Sequence, residues 1–344
     1  MAENNSFEAI MREISQGLSG DPETDIKYLM DQGEKYKDHE FGKEVTRACG
    51  RMMYELLPDD RKEELSKLIE KNDKGVDAAL EEIRFNIYKK DYDKALKLAE
   101  STIKEYEDAN MYADDTVSEY HCFREPMEKI LYSEYTHPTK DLRAAAIDYA
   151  EIYMLYGSLL INVQRFADAE KALVKGMKWN PASAAIAFEY AETMKMQGKI
   201  DEFKDATMEI FKYAFRTGDL ARCYRNLSYY FVEKKEYETA VCCLLFSAQF
   251  EKSNMVQSEL YYISQVTGKN INPSGEDLER CFKEHNIPFG PGKEIIQIAY
   301  TYGKHFYEEG NMQTAGYFLA IFTSFINDPG ANKMMEDIKA KLEK

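Results

Sequence analysis

An all-α fold of stacked antiparallel helical pairs is what this sequence predicts, on three observations. Nine prolines and 18 glycines in 344 residues are too few for a chain of many tight turns, and the composition is rich in alanine, leucine, lysine and glutamate, all good helix formers. Apolar residues recur at helical spacing between recognisable caps. Further along, a pattern of large and small residues returns at intervals close to 34 residues. Such an array has no ceiling on its size, because each unit packs only on its neighbours.

The first 75 residues read as four amphipathic helices. Phe7, Ile10, Met11, Ile14 and Leu18 make one apolar stripe. Asp21-Pro22 is an N-cap followed by proline at the first helical position, opening a helix with Ile26, Leu29, Met30 and Tyr36 inward. Phe41, Val45, Ala48, Cys49, Met52, Met53 and Leu56 line a third, stopped by Pro58. Leu65, Leu68 and Ile69 mark a shorter fourth, closed by Gly75. Residues 76–149 read as degenerate units: Tyr92, Ala95 and Ala99 suit a second helix, and an aromatic-rich stretch, 111–137, follows. In it Pro126 is expected to kink or split any helix. Its aromatics fit either a repacked unit or a binding patch.

Repetition is clearest over 150–329. Residues 150–183 supply Tyr153, Tyr156-Gly157, Leu160, Phe166, Ala169, Leu173 and Pro181. Residues 221–254 supply Tyr224, Leu227-Ser228, Phe231, Tyr237, Ala240 and Leu244, and 296–329 supply Ala299, Tyr302-Gly303, Phe306, Ala315 and Leu319. Residues 184–217 follow the pattern in part, through Ala187, Tyr190-Ala191 and Met194. Spacing leaves a further unit, with helices near 255–267 and 276–286, the second opened by the capping box of Ser274 and Asp277 and closed by Ile287-Pro-Phe-Gly-Pro-Gly292. Residues 330–344 read as a polar capping helix. The small residues Gly157, Ala191, Ser228 and Gly303 let paired helices approach closely, and Ala169, Ala240 and Ala315 do the same against the next unit.

On these residues the chain resembles the tetratricopeptide repeat family, in its bacterial type. The resemblance implies a right-handed α-α superhelix without a sheet, whose first helices line a concave groove that binds a peptide or protein segment. Groove-facing positions carried over from the family are Glu151, Met154 and Ser158; then Ala185, Phe188 and Glu192, with Lys195 one turn on; then Arg222, Arg225 and Tyr229, with Asn226 beside them; then Gln297, Tyr300 and Lys304. The partner-binding set is therefore Phe188, Lys195, Arg222, Arg225, Asn226, Tyr229, Tyr300 and Lys304. Two arginines on one face can fork onto a carboxylate, so an acidic or carboxylate-ended segment is the expected partner. The alternative is that Arg222 and Arg225 pair with acids on neighbouring helices. The order of residues departs from the family's carboxylate clamp, because Glu151 and Ser158 stand where basic or amide groups belong.

Charge narrows the function further. Residues 1–110 carry 18 basic and 27 acidic side chains, against 23 and 26 in 150–344, within a net formal charge of −16. An acidic surface without a basic run repels phosphate, so neither nucleic acid nor an anionic membrane is an expected partner. The six cysteines lack framework or metal spacing and suit reduced, buried thiols. Met1–Ile14 has neither a basic region nor an apolar run, so no signal peptide is expected, and the location is read as cytoplasmic. The five histidines share no metal-ligand spacing, and His121-Cys122 is read as an ordinary helix position. Phe289-Gly-Pro-Gly-Lys293 lacks the first glycine and the hydroxyl residue of a phosphate loop, and reads as a connector. No cofactor or metal is expected. The reading is a non-catalytic interaction module; a peptide-responsive regulator without its own DNA-binding domain and an α/α-barrel hydrolase are the other two.

Overall fold

The computed structural model describes residues 7–109, 112, 114 and 118–342. Among them the chain is predominantly helical, with 17 α-helices and one two-stranded sheet. No described helix is long and apolar enough to cross a membrane. The residues fall into two compact units, interleaved in sequence: residues 1–121 with 138–148, and residues 122–137 with 149–344.

The first unit starts with α1 (Phe7–Gln16), α2 (Pro22–Lys35) and α3 (Gly42–Leu56), packed around Phe7, Ile10, Ile14, Leu29, Val45 and Cys49. Asp21 caps α2 by accepting the Thr24 N–H at 3.0 Å, as its sequence suggests. The inward face of α2 differs from the expected one, because Met30 is exposed and Asp25 is buried. A carboxylate is tolerable there because it accepts the backbone N–H groups of Ser19 (2.6 Å) and Gly20 (2.9 Å) and the Ser19 hydroxyl (2.9 Å). The bond from the Ser19 N–H is the main reason its pKa falls below the carboxylate range. Gly75 does not end a helix: α4 runs unbroken over Asp59–Tyr88 and pairs with α5 (Tyr92–Ala109), so the expected boundary at 75/76 falls inside it. One glycine inside a helix costs only about 1 kcal/mol, which neighbouring turns outweigh. The side chains of Leu65, Leu68 and Ile69 lie outside the described residues.

A sheetless fold is the second expectation to be corrected. Strand β1 (Ser118–His121) pairs in parallel with β2 (Asp141–Ala144), Ser118 opposite Asp141 and His121 opposite Ala144. His121 is thus the buried end of a strand, not a helix position. Parallel strands need a long crossover, and this one carries α6 (Pro126–Thr136). Pro126 neither kinks nor splits that helix: it stands at its first turn, where its missing N–H is no loss, behind a capping box of Glu125 and Glu128.

The second unit is a succession of helical pairs: α7 (Tyr149–Asn162) with α8 (Phe166–Trp179), α9 (Ala184–Met196) with α10 (Ile200–Ile210), and α11 (Thr217–Glu233) with α12 (Tyr237–Ser247). Next come α13 (Asn254–Thr267) and α14 (Gly275–Glu284), the pair α15 (Lys293–Glu308) and α16 (Met312–Phe325), and α17 (Pro329–Leu342) packed on α16. Consecutive pairs touch through α8 and α9, and through α10 and α11. The small residues sit where the helices come closest. A Cβ placed on Gly157 would lie 2.5 Å from Leu173 Cγ, and one on Gly303 would lie 2.7 Å from Leu319 Cγ. Ala169, Ala191, Ala240 and Ala315 are fully buried. The capping box of Ser274 and Asp277 opens α14, with the Asp277 N–H donating to Ser274 Oγ at 3.2 Å. The connector after α14 is pinned by Tyr224, whose hydroxyl donates to Pro288 O at 2.7 Å and accepts from the Gly290 N–H at 2.8 Å.

Within this unit α6 packs on α15, its Met127 and Leu131 buried with Phe215, Ile295 and Phe318. Its start is fastened by a buried polar knot. The Cys122 N–H donates to Trp179 O (2.8 Å), and Asn180 Nδ2 donates to Cys122 O (3.1 Å) and to Glu128 Oε2 (3.0 Å). Glu125 pairs with Arg216 and accepts from the Tyr317 hydroxyl at 2.9 Å. Three of the aromatics around it are packed, in the Phe123–Tyr132 and Tyr135–Tyr213 contacts.

Candidate functional site

Four of the eight partner-binding residues, Phe188, Lys195, Arg222 and Tyr229, meet between α9 and α11, while Arg225 and Asn226, also on α11, turn to Glu251 and to Thr207 of α10. Helix α11 places Arg222, Arg225 and Tyr229 at i, i+3 and i+7, one face of the helix. The opposite stripe, Cys223, Tyr224, Leu227 and Phe231, is buried in the core, which fixes the rotation of α11 and leaves the first stripe half-buried. The same logic acts on α9, where burial of Ala184, Ala191 and Met194 brings Glu192 and Lys195 to the surface.

Aromatic rings and cations alternate across the seam. The Arg222 guanidinium lies over the Phe188 ring, 4.3 Å from its centroid, and Lys195 Nζ lies 4.8 Å from the centroid of Tyr229. Each contact ties α9 to α11, with a cation–π attraction of about 0.5–2 kcal/mol depending on desolvation. The Tyr229 ring also meets Phe203 of α10 edge to face, at 5.8 Å. Phe188 requires a correction: it is 1% exposed and belongs to the core, because Arg222 from the next pair covers it. It shapes the site from beneath and offers no open surface.

The cations have acids close by. Arg225 Nη1 is 2.9 Å from Glu251 Oε2, in the segment after α12, but without the alignment of a hydrogen bond. Arg222 Nη2 is 3.8 Å from Glu189 Oε1, a longer contact, and Glu189 also accepts the Ser158 hydroxyl at 3.2 Å. Lys195 is paired with Glu192 at 2.9 Å, and Asn226 Nδ2 donates to Thr207 Oγ1 at 3.3 Å. Asp219, one turn before Arg222, was not anticipated from the sequence. Burial lifts its carboxyl above the ordinary range; Arg216 and Arg222 pull it back, while Glu251 and Glu128 push it further up. Burial also raises the Tyr229 phenol.

The site thus has side chains already held in place, and at Arg225 a buried Nη1 that lies at ion-pair distance from Glu251 without a hydrogen bond. Glu151, expected on this face, is instead buried and paired with Arg124 of the segment before α6. Tyr300 and Lys304 are not part of the cluster. Both lie on α15, Tyr300 against Phe322 at 5.0 Å in a different core and Lys304 3.8 Å from Glu308 on its own helix. Arg124, Glu128, Asn180 and Glu251 carry no repeat signal in the sequence, since their partners lie in other helices or in connectors. No protein-family model matches the chain, and no curated protein matches it.

Proposed function

We propose that this chain is a non-catalytic interaction module, acting in the cytoplasm, that binds a segment of another polypeptide along the α9–α11 face. On this reading the pairs from α7 to α16 stack as tetratricopeptide-like units into a right-handed superhelix, with α7, α9, α11 and α15 lining its concave side. What supports the stacking is the close crossing at Gly157 and Gly303, where the motif asks for small residues. What supports binding is Arg225. Its guanidinium faces a glutamate on a connector at ion-pair distance but out of line, and a partner carboxylate arriving in line would take the place of Glu251. The neighbouring rings and cations are tied down by the core, so little ordering cost falls on the protein.

The partner is an acidic or carboxylate-ended segment. The acidic surface elsewhere does not forbid it, because screening within about 8 Å at physiological salt leaves local geometry in control. The test begins with a pull-down from native cell extract to identify a bound partner, followed by titration of the segment that binds. Arg225→Ala is expected to weaken binding about tenfold to a hundredfold, since charge-assisted hydrogen bonds contribute about 1.5–3 kcal/mol. Glu251→Gln is expected to tighten it by removing the internal competitor. Unchanged affinity in both variants, with a lower melting temperature for Arg225→Ala, would assign the arginine to a structural ion pair and end this reading.

A further inference from the structure

The first unit holds a cleft of about 680 Å³ against α1, α3 and the sheet, a size suited to a small ligand. Its walls gather three of the chain's 12 arginines: Arg47 and Arg51, one turn apart on α3, and Arg143 on β2. Glu55 is the one acid among the described lining residues. The remaining wall is apolar or flat, with Phe7 and Met11 from α1 and Tyr54 and Tyr120. This gathering of cations occurs in the part of the chain whose charge is otherwise strongly acidic.

Two further observations point to a ligand. Arg143 Nε is buried with no hydrogen-bond acceptor, although its Nη2 is 3.7 Å from Asp141 Oδ2. A buried donor nitrogen without an acceptor is unfavourable, and the Arg143 side chain as a whole, 37% exposed, lines the cleft. The second is Gly50, which lines the cleft within α3. A Cβ built there would meet nothing within 4 Å, so no packing demand explains a glycine in the interior of this helix. Its missing side chain widens the cleft between Arg47 and Arg51.

We infer that this cleft binds a small phosphate- or phosphonate-bearing molecule with an aromatic or apolar body, its anion on the three arginines and its body against Phe7, Met11 and Tyr120. Guanidinium forks match the oxygens of a phosphate group, and three arginines line this cleft. The inference is independent of the α9–α11 site.

Phenylphosphonate is the probe, titrated calorimetrically into the full chain beside inorganic phosphate and benzyl alcohol. Saturable one-to-one binding of phenylphosphonate is expected, with inorganic phosphate weaker and no binding of benzyl alcohol. Arg51→Met and Arg143→Met should each weaken it about tenfold or more. Gly50→Leu should abolish it by filling the cleft, and Gly50→Ala, which adds only a methyl to an open space, should weaken it while the melting temperature stays the same or rises. Absence of saturable phenylphosphonate binding would overturn the inference. So would benzyl alcohol or inorganic phosphate binding as tightly as phenylphosphonate, or affinity unchanged in Arg143→Met and Gly50→Ala.

Discussion

Asp219 stands at the start of α11 with its carboxyl raised by burial, and that direction fixes how it acts on stability. An acid whose pKa is higher in the folded than in the unfolded chain favours folding while it is protonated in both states. That support fades as pH rises through the unfolded value near 3.8 and is gone above the folded one. At neutral pH Asp219 is therefore a net burden on the second unit, offset in part by Arg216 and Arg222. Asp219→Asn is expected to raise the melting temperature at pH 7 relative to wild type, with the gain shrinking toward pH 3. Equal gains at both pH values would show that packing, and not charge, separates the two proteins. Asp25 is the opposite case. Its depressed pKa means that its hydrogen bonds to Ser19 and Gly20 support the first unit above the unfolded value, and that this support is lost as pH falls through the folded one.

At the scale of elements, small residues decide how closely helices pair. The Leu173 side chain occupies the space over Gly157, so Gly157→Leu forces two bulky groups into one site and should cost about 1–3 kcal/mol, read as a lower denaturant midpoint. Gly310 makes a useful contrast. It has φ +84° with open space around it, so Gly310→Ala acts through backbone conformation alone. These elements were legible in the sequence because their signals are local: the Asp21 and Ser274 caps, the Gly157 and Ala169 spacing, and the connector from Ile287 to Gly292. Signals that depend on distant chain were not. Strands of four residues carry no readable alternation, and β1 finds its partner only after the α6 crossover. The cover over Phe188 comes from Arg222 on another helix. The candidate site was half legible for the same reason: one helix face supplied Arg222, Arg225 and Tyr229, whereas Glu251 and Asp219 took their roles from burial and tertiary contacts. The arginine cleft was invisible, since nothing in a linear reading joins Arg143 to Arg47 and Arg51.

For the whole molecule, the interleaving of the two units matters more than their helix content. The chain leaves the first unit after His121, returns to it at Pro138 and leaves again after Asp148. Neither unit is therefore a contiguous piece, and the division anticipated at 149/150 would strip α6 from the unit in which Met127 and Leu131 are buried. A fragment of residues 122–344 should keep a cooperative thermal transition. One of residues 149–344 should melt earlier and aggregate, because the apolar seat formed by Phe215, Ile295 and Phe318 is uncovered. Trp179, the only tryptophan, stacks on Tyr149 at 4.4 Å and accepts the Cys122 N–H through its carbonyl, so its fluorescence can follow this difference. Matching transitions in the two fragments would show that α6 contributes little to the stability of this unit.

That burial of Met127 and Leu131 has a consequence for synthesis on the ribosome. Helix α6 is made well before α15, and Leu131 and Ile295, which share one core, are 164 positions apart. At about 5–20 residues per second, the nascent helix waits roughly 8–30 s for the surface that will cover it. During that interval its apolar stripe is open to chaperones and to neighbouring nascent chains, and the pace of translation through α7 to α14 sets how long the exposure lasts.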